Sequence, residues 1–356
     1  MRAPSTQPSP RSMISNSTAP SGPSIVSRPW PRVAPADVDA RVRELERAAY
    51  QSFGLRPHEE VLPVHSPIGE VDVRVVHVDP AEGGAAAGLA PVLLLHGVGS
   101  FSVLAVEVMA HLAGRRLVVL DWPGHGLSGG CVVPGPAALR PMAISVIEGV
   151  LDELDIAAVD VVAHSLGGQF ACYAALDIPK RIRRLALLGC PGGAFPGGRP
   201  LPPMVAMAVP HVGGQIMARF VSAERFARFN DLAMGPGAGS HLPDEVHEAC
   251  YLMTLRPEFA PSVSTYLRAI ILGTSLRASN HLARADIERI RQPTLFAWGD
   301  RDAFLTPMAA AASIVAVRDH RLLRLPLAGH APWLDEPELV GRAVLAHFGA
   351  PDQQPA

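Results

Sequence analysis

Six short runs of this chain are apolar almost without a break: Pro91–Leu95, Leu117–Leu120, Val159–Ala163, Leu185–Leu188, Thr294–Trp298 and Leu322–Leu325. A strand with one wet face alternates apolar and polar residues, so an unbroken run calls for burial on both faces. Helix-length segments at Val103–Ala113, Ala137–Leu154, Leu166–Leu176 and Met308–Val317 lie between most of these runs. Strand alternating with helix in this way predicts an α/β fold, a parallel sheet with helices on both faces. Ahead of it, Val38, Val42, Leu45 and Ala49 recur at helical spacing. Glu60–His65 and Val71–Val78 alternate about Ile68-Gly69-Glu70, as an antiparallel pair does.

One interval breaks the rhythm. From Pro191 to about Ala285 no strand signal occurs, and helical patterns run over Gln215–Phe229, Pro243–Leu255 and Val263–Leu276. Its entry is the Gly/Pro-rich Pro191-Gly-Gly-Ala-Phe-Pro-Gly-Gly. The expectation is a helical cap over 191–285, inserted into a core made of 36–190 and 286–350. Residues 1–35 carry eight prolines, and no acidic residue precedes Asp37. Such a stretch neither buries apolar surface nor holds a helix, which predicts a disordered leader. The Gly/Ala-rich stretch at 82–88 reads as a loop.

Composition narrows the function classes. With 48% hydrophobic and 18% charged residues among 356, the chain has ample material for a buried core. A net charge of −2 gives no electrostatic case for nucleic acid or an anionic membrane. All but one of the 31 basic residues are arginine, Lys180 being the exception, and they are scattered rather than clustered. Cys131, Cys172, Cys190 and Cys250 are too widely spaced for a disulfide framework, and neither Cys-x-x-Cys nor His-Glu-x-x-His occurs. A reducing, cytoplasmic compartment is expected. The most apolar stretch, Pro202–Val209 continuing from Val212 to Phe220, is interrupted by Pro210 and His211. It falls short of the roughly 20 residues of a membrane span.

The chemistry sits where apolar runs end. Val161-Val162-Ala163-His164-Ser165-Leu166-Gly167-Gly168 passes from strand to helix across one residue. A nucleophile elbow needs that arrangement, because the tight turn lifts the Ser hydroxyl above the sheet. Positions two before and two after the Ser must be small; they are Ala163, where Gly is usual, and Gly167. Leu95-His96-Gly97-Val98-Gly99-Ser100 follows another apolar run. With Leu166, it would supply the two amide donors of an oxyanion hole, those of Val98 and Leu166. Read on its own, the same loop is a plain turn around a buried His96. Gly299-Asp300-Arg301-Asp302 and Gly329-His330 each follow a late run, giving the chain order Ser, Asp, His.

With Asp121-Trp122-Pro123-Gly124-His125-Gly126-Leu127-Ser128 added, these motifs resemble the α/β-hydrolase superfamily, in its serine branch with a helical cap. The resemblance covers about 91–348. It implies a mostly parallel eight-stranded sheet whose first hairpin is antiparallel, a Ser165-His330-Asp302 triad and no cofactor; the absence of Cys-x-x-Cys and His-Glu-x-x-His separately leaves nothing that points to a metal. The second acidic position of the Gly-Asp-x-Asp pattern favours Asp302 over Asp300 as the acid. The loop after Leu188 offers no carboxylate that could replace it.

Gly124-His125-Gly126-Leu127-Ser128-Gly129 also spells a dinucleotide string. No helix opens at its glycines, since Cys131-Val-Val-Pro-Gly-Pro intervenes, so the match is read as accidental. His164 reads as structural, pointing away from the nucleophile. Met204, Met207, Met217 and Met253 are core by default; their functional reading is an adaptable lining for a lipophilic substrate. The expected activity is cleavage of an ester-like or carbon–carbon bond in a small, mostly apolar substrate. Acyl transfer and a capped ligand receptor that keeps its triad are the alternatives. Oligomeric state is left open, a homodimer included.

Overall fold

The computed structural model describes residues 33–80, 89–219 and 222–349. The leader reading therefore falls outside the described residues except at 33–35, and the 82–88 stretch lies outside them altogether. Helix α1 (Val38–Ser52) buries Val38, Val42, Leu45 and Ala49, the four residues at helical spacing. Strands β1 (Pro57–Ser66) and β2 (Gly69–Val78) then form an antiparallel hairpin. Ser66 pairs with Gly69 across its turn, where Gly69 takes a left-handed φ of 109° that a side chain would resist.

The alternation follows: β3 (Val92–Leu95), α2 (Val106–Leu112), β4 (Leu117–Leu120), α3 (Pro136–Glu153), β5 (Val159–His164), α4 (Leu166–Asp177) and β6 (Ile182–Leu188). Helices α5 (Pro202–Met207), α6 (Gly213–Arg219), α7 (Ala223–Met234), α8 (Asp244–Met253) and α9 (Phe259–Ile270) come next. A small hairpin of β7 (Ile271–Leu272) and β8 (Ser275–Leu276) leads into α10 (Arg284–Ile287). The chain closes with β9 (Thr294–Gly299), α11 (Ala311–Ile314), β10 (His320–Leu325), α12 (Pro332–Asp335) and α13 (Pro337–Gly349).

Eight strands form one sheet in the order β1-β2-β4-β3-β5-β6-β9-β10. Pairs β1/β2 and β2/β4 are antiparallel, and the remaining neighbours are parallel. Strands β3, β4 and β5 are buried throughout, as unbroken apolar runs require. From β3 the chain steps to β4 on one side, and β5 lies on the other. Ligands of open α/β sheets bind in the crevice that such a reversal leaves at the carboxyl ends of the strands. The loop after β3 and the turn after β5 both open there.

The structure corrects several local expectations. The helix expected over Gln215–Phe229 is two helices, α6 and α7; Ser222 starts the second by accepting a hydrogen bond from the Arg225 amide. The pattern expected over Val263–Leu276 ends as helix at Ile270 and turns back as β7/β8, with Gly273 at φ 59°. Consecutive β-branched Ile270 and Ile271 before that Gly favour the extended chain. Met308–Val317 holds only the four helical residues of α11, since Ser313, Val315 and Val317 weaken helix there. Finally, β10 is mostly exposed, because it is the edge of the sheet and pairs on one side alone.

Candidate active site

Ser165 stands alone between β5 and α4 with φ 53° and ψ −119°, a region that non-glycine residues avoid. Such strain costs on the order of 1–3 kcal/mol and persists only where its surroundings enforce it. They do so here. A Cβ on Gly167 would sit 2.3 Å from the Leu95 carbonyl oxygen and 2.7 Å from that of His96. One on Gly97 would lie 2.9 Å from the Ser165 Cβ. Ala163, which stands where Gly is usual, is buried between Leu95 and Leu187 in the sheet, where its methyl is accommodated.

The loop after β3 is braced through His96. The Trp122 amide donates to His96 Nε2 at 3.1 Å, so the ring proton is on Nδ1 and is donated to the Gly97 carbonyl at 2.7 Å. Trp122 Nε1 in turn donates to the His96 carbonyl at 3.0 Å. Burial lowers the His96 pKa to about 4 and keeps the ring neutral. Val98 and Gly99 of this loop line the same cavity as Ser165. Leu166 is the first residue of α4, where a helix leaves its amide without a partner in the helix.

Two carboxylates from the loop after β9 separate cleanly. Asp300 is tied at the surface to Arg324, at 3.0 and 2.9 Å. Asp302 is buried, and its Oδ2 accepts from His330 Nδ1 at 2.9 Å and from the Cys190 amide at 2.9 Å. Its Oδ1 accepts from the Phe304 amide at 2.9 Å. Burial pushes the Asp302 pKa up, but His330 and these amide donors outweigh it, and the net shift is downward. An ionised Asp302 only accepts, so His330 carries its proton on Nδ1 and offers Nε2 as a lone pair.

His330 is held from several sides. Its amide donates to the Met234 carbonyl at 3.0 Å. A Cβ at Gly189 would come within 2.1 Å of its carbonyl oxygen. The Phe304 and His164 rings flank its imidazole, with centroids 4.3 and 4.6 Å away. Ser165 and His330 face one cavity of about 440 Å³. Among the described residues no hydrogen bond joins them, and sites without substrate often tighten only when substrate arrives.

The structure therefore brings Ser165, Asp302, His330, Val98 and Leu166 to one end of the sheet and leaves Asp300 outside. His164, read as structural, is buried against His330 and Trp333 and also lines the cavity. Met204, Met207 and Met217 line that cavity, whereas Met253 is packed in the interior away from it. The glycine string at 124–129 opens no helix; Gly126, at φ 52°, wraps the buried Asp121, and a Cβ there would strike its carboxylate. Contacts from Cys190, Phe304 and Met234 carry no side-chain signature that sequence reasoning could use. The one available hint was position, since Gly189-Cys190 follows β6 directly. The four cysteines are unpaired.

Three buried histidines make the fold sensitive to acid. His96 is lowered to about 4, His125 to about 3, and His164 well below 6.5, each chiefly by burial. All three are neutral in the folded chain and would take up protons on unfolding below pH 6.5. A lowered folded pKa means that this stability is complete above the unfolded value and shrinks as pH falls. Raised His241, held by Glu107, acts in the opposite sense. His77, His247, His281 and His347 are lowered by burial as well, and among the described residues only Glu46 and Asp335, raised by burial, oppose them near pH 5, so stability should fall as pH drops from 7.5 to 5. Urea unfolding between pH 7.5 and 5 checks this; a flat profile would contradict it.

A family model described as the alpha/beta hydrolase fold matches residues 90–337. The chain belongs to the alpha/beta hydrolase fold family. It is an enzyme of hydrolase type within that family. This hydrolase is 29% identical over 261 residues to a pimeloyl-[acyl-carrier protein] methyl ester esterase of Stenotrophomonas maltophilia, covering 72% of the chain and 92% of that protein. It is 26% identical over 316 residues to a dihydrolipoyllysine-residue acetyltransferase component of an acetoin cleaving system of Pseudomonas putida, covering 87% of the chain and 76% of that protein. In fold it is similar to the crystal structure of carboxylesterase CesB from Bacillus subtilis, with a TM-score of 0.68 and 16% identity over 88% of the chain and all of that one. Among the described residues of this hydrolase, no helix is long and apolar enough to cross a membrane.

Proposed function

We propose that the chain is a serine hydrolase that cleaves a carboxylic ester or thioester of a small, largely apolar acyl compound through a covalent acyl-enzyme. The observation that carries this reading is the buried Asp302–His330 hydrogen bond at 2.9 Å, opening on the same cavity as a strained Ser165. Ser165 Oγ attacks the carbonyl carbon while its proton passes to His330 Nε2. The amides of Val98 and Leu166 receive the oxyanion. The ester bond breaks as the imidazolium returns that proton to the leaving oxygen or sulfur. Water then repeats the cycle: its proton goes to His330, its oxygen bonds the acyl carbon, and Ser165 recovers its hydrogen. Asp302 stays ionised and fixes the tautomer. The same groups would serve a carbon–carbon bond beside a carbonyl.

The acyl chain would lie in the 440 Å³ cavity, against Met204, Met207 and Met217 from α5 and α6 and Phe229 and Ala233 from α7. That wall comes from the insertion at 191–285, which would act as a cap and set specificity. The esterase relative of Stenotrophomonas acts, by its name, on the methyl ester of a carrier-bound acyl chain, and supports an aliphatic acyl substrate. Each buried methylene contributes about 0.8 kcal/mol, so kcat/KM should climb roughly fourfold per methylene until the cavity is full. A panel of p-nitrophenyl esters from acetate to dodecanoate tests this. Equal turnover of acetate and octanoate would overturn the pocket assignment. Ala233→Phe should cut octanoate hydrolysis at least tenfold and leave acetate nearly unchanged.

Acyl transfer is the second reading, favoured by the similarity to the acetyltransferase component of Pseudomonas putida. It differs only in the acceptor that meets the acyl-enzyme. A transferase would partition the acyl group to an added thiol or alcohol at millimolar concentration; a hydrolase would release free acid regardless. A cytoplasmic site of action accompanies either reading, since the four free cysteines suit a reducing compartment.

A further inference from the structure

Beyond Ser165, His330 and Asp302, one buried titratable side chain touches the base without a part in the steps above. His164 ends β5 directly before Ser165. Its Nε2 is 3.2 Å from the backbone carbonyl oxygen of His330. A carbonyl only accepts, so Nε2 carries the ring hydrogen and donates it. The ring lies 4.6 Å from that of His330 and packs edge-to-face with Trp333 at 4.7 Å, interplanar angle 76°. Trp333 is itself anchored by its Nε1, which donates to the Leu104 carbonyl at 3.0 Å. With Phe304 at 4.3 Å, the rings Trp333, His164, His330 and Phe304 form one packed column. On the oxyanion-loop side there is no spare room, since a Cβ at Gly97 would stand 3.0 Å from His164 Nδ1.

We propose that His164 is a positioning residue: by donating Nε2–H to the His330 carbonyl and flanking its ring, it aims the base at Ser165. This rests on the reading of His330 as the base. Asp302 fixes the tautomer through Nδ1 but leaves the ring free to tilt about that single hydrogen bond. Holding the backbone carbonyl and one ring face removes the tilt, and displacement by about 1 Å in a catalytic group can cost roughly 100-fold in rate. A second imidazole beside a forming imidazolium would repel it if it too were charged. Burial, with His330 as neighbour, holds the His164 pKa well below 6.5, so one positive charge develops and not two.

The test compares His164→Phe, which keeps a ring without a donor, with His164→Gln, whose amide nitrogen reaches near the Nε2 position, and His164→Asn, whose amide reaches only near Nδ1. The measurements are kcat and KM on a p-nitrophenyl ester, melting temperature, and the low-field proton signal of the His330–Asp302 hydrogen bond. The Phe variant should lose kcat by roughly 100-fold with KM within about threefold, and its low-field signal should broaden or vanish. The Gln variant should recover most of the rate and regain the signal; the Asn variant should not. Wild-type kcat and signal in the Phe variant would overturn the proposal. So would equal losses in Gln and Asn with the low-field signal intact, which would make His164 a packing residue alone. If the Phe variant does not fold, the Gln and Asn pair decides by the same criteria. Failure of the base assignment shows up separately, as a His330→Ala variant that keeps full activity.

Discussion

Asp302→Asn should lower kcat by about 10⁴ and leave KM within a few-fold. An amide at this position offers Nδ1 an N–H in place of a lone pair. The imidazole then keeps its proton on Nε2, where Ser165 needs an acceptor. The Cys190 and Phe304 amides now donate to the Asp302 carboxylate oxygens, and one of them would face an NH₂ group. Some loss of stability should therefore accompany the loss of rate. Asp300→Asn, which loosens only a surface pair with Arg324, should change kcat by less than about twofold. Steady-state kinetics of the two variants side by side checks the ranking, and the reverse order would move the acid to Asp300.

Ser165→Ala should remove about 10⁶ of kcat, because nucleophile and base act as one unit. Its effect on folding should be small, since alanine suffers the same left-handed backbone strain as serine. Ser165→Gly makes the contrast. Glycine takes φ 53° freely, so this variant should be equally inactive yet more stable by about 1 kcal/mol. Thermal melts of the three proteins read the difference directly. A less stable Gly variant would mean that the turn is not strained in solution.

Much of this arrangement was legible in residues alone. Val92–Leu95, Leu117–Leu120 and Val159–His164 are central strands buried on both faces, and burial on both faces leaves an unbroken apolar signature. The elbow was legible because steric demand at Gly167 is local: its backbone meets the carbonyls of Leu95 and His96. Where burial pattern and position in the sheet diverge, reading from residues fails. Leu322 and Leu323 look like core, yet β10 is an edge. Backbone contributions were illegible for a different reason. The Cys190 amide that meets Asp302 and the Met234 carbonyl that meets His330 belong to any residue type, so nothing in the side chains marks them. The contact of His164 with His330 was illegible, because divergence of neighbours along an elbow says nothing of where the chain returns 166 residues later.

The central claim is that Ser165 is a nucleophile activated by His330, and covalent trapping tests it most directly. Wild-type protein is treated with a fluorophosphonate, and the adduct is located by peptide mass spectrometry. One adduct per chain is expected, on the peptide that contains Ser165. It should be absent in Ser165→Ala and slowed by several orders of magnitude in His330→Ala. An adduct on any other residue, or labelling that persists in Ser165→Ala at the wild-type rate, would contradict the account.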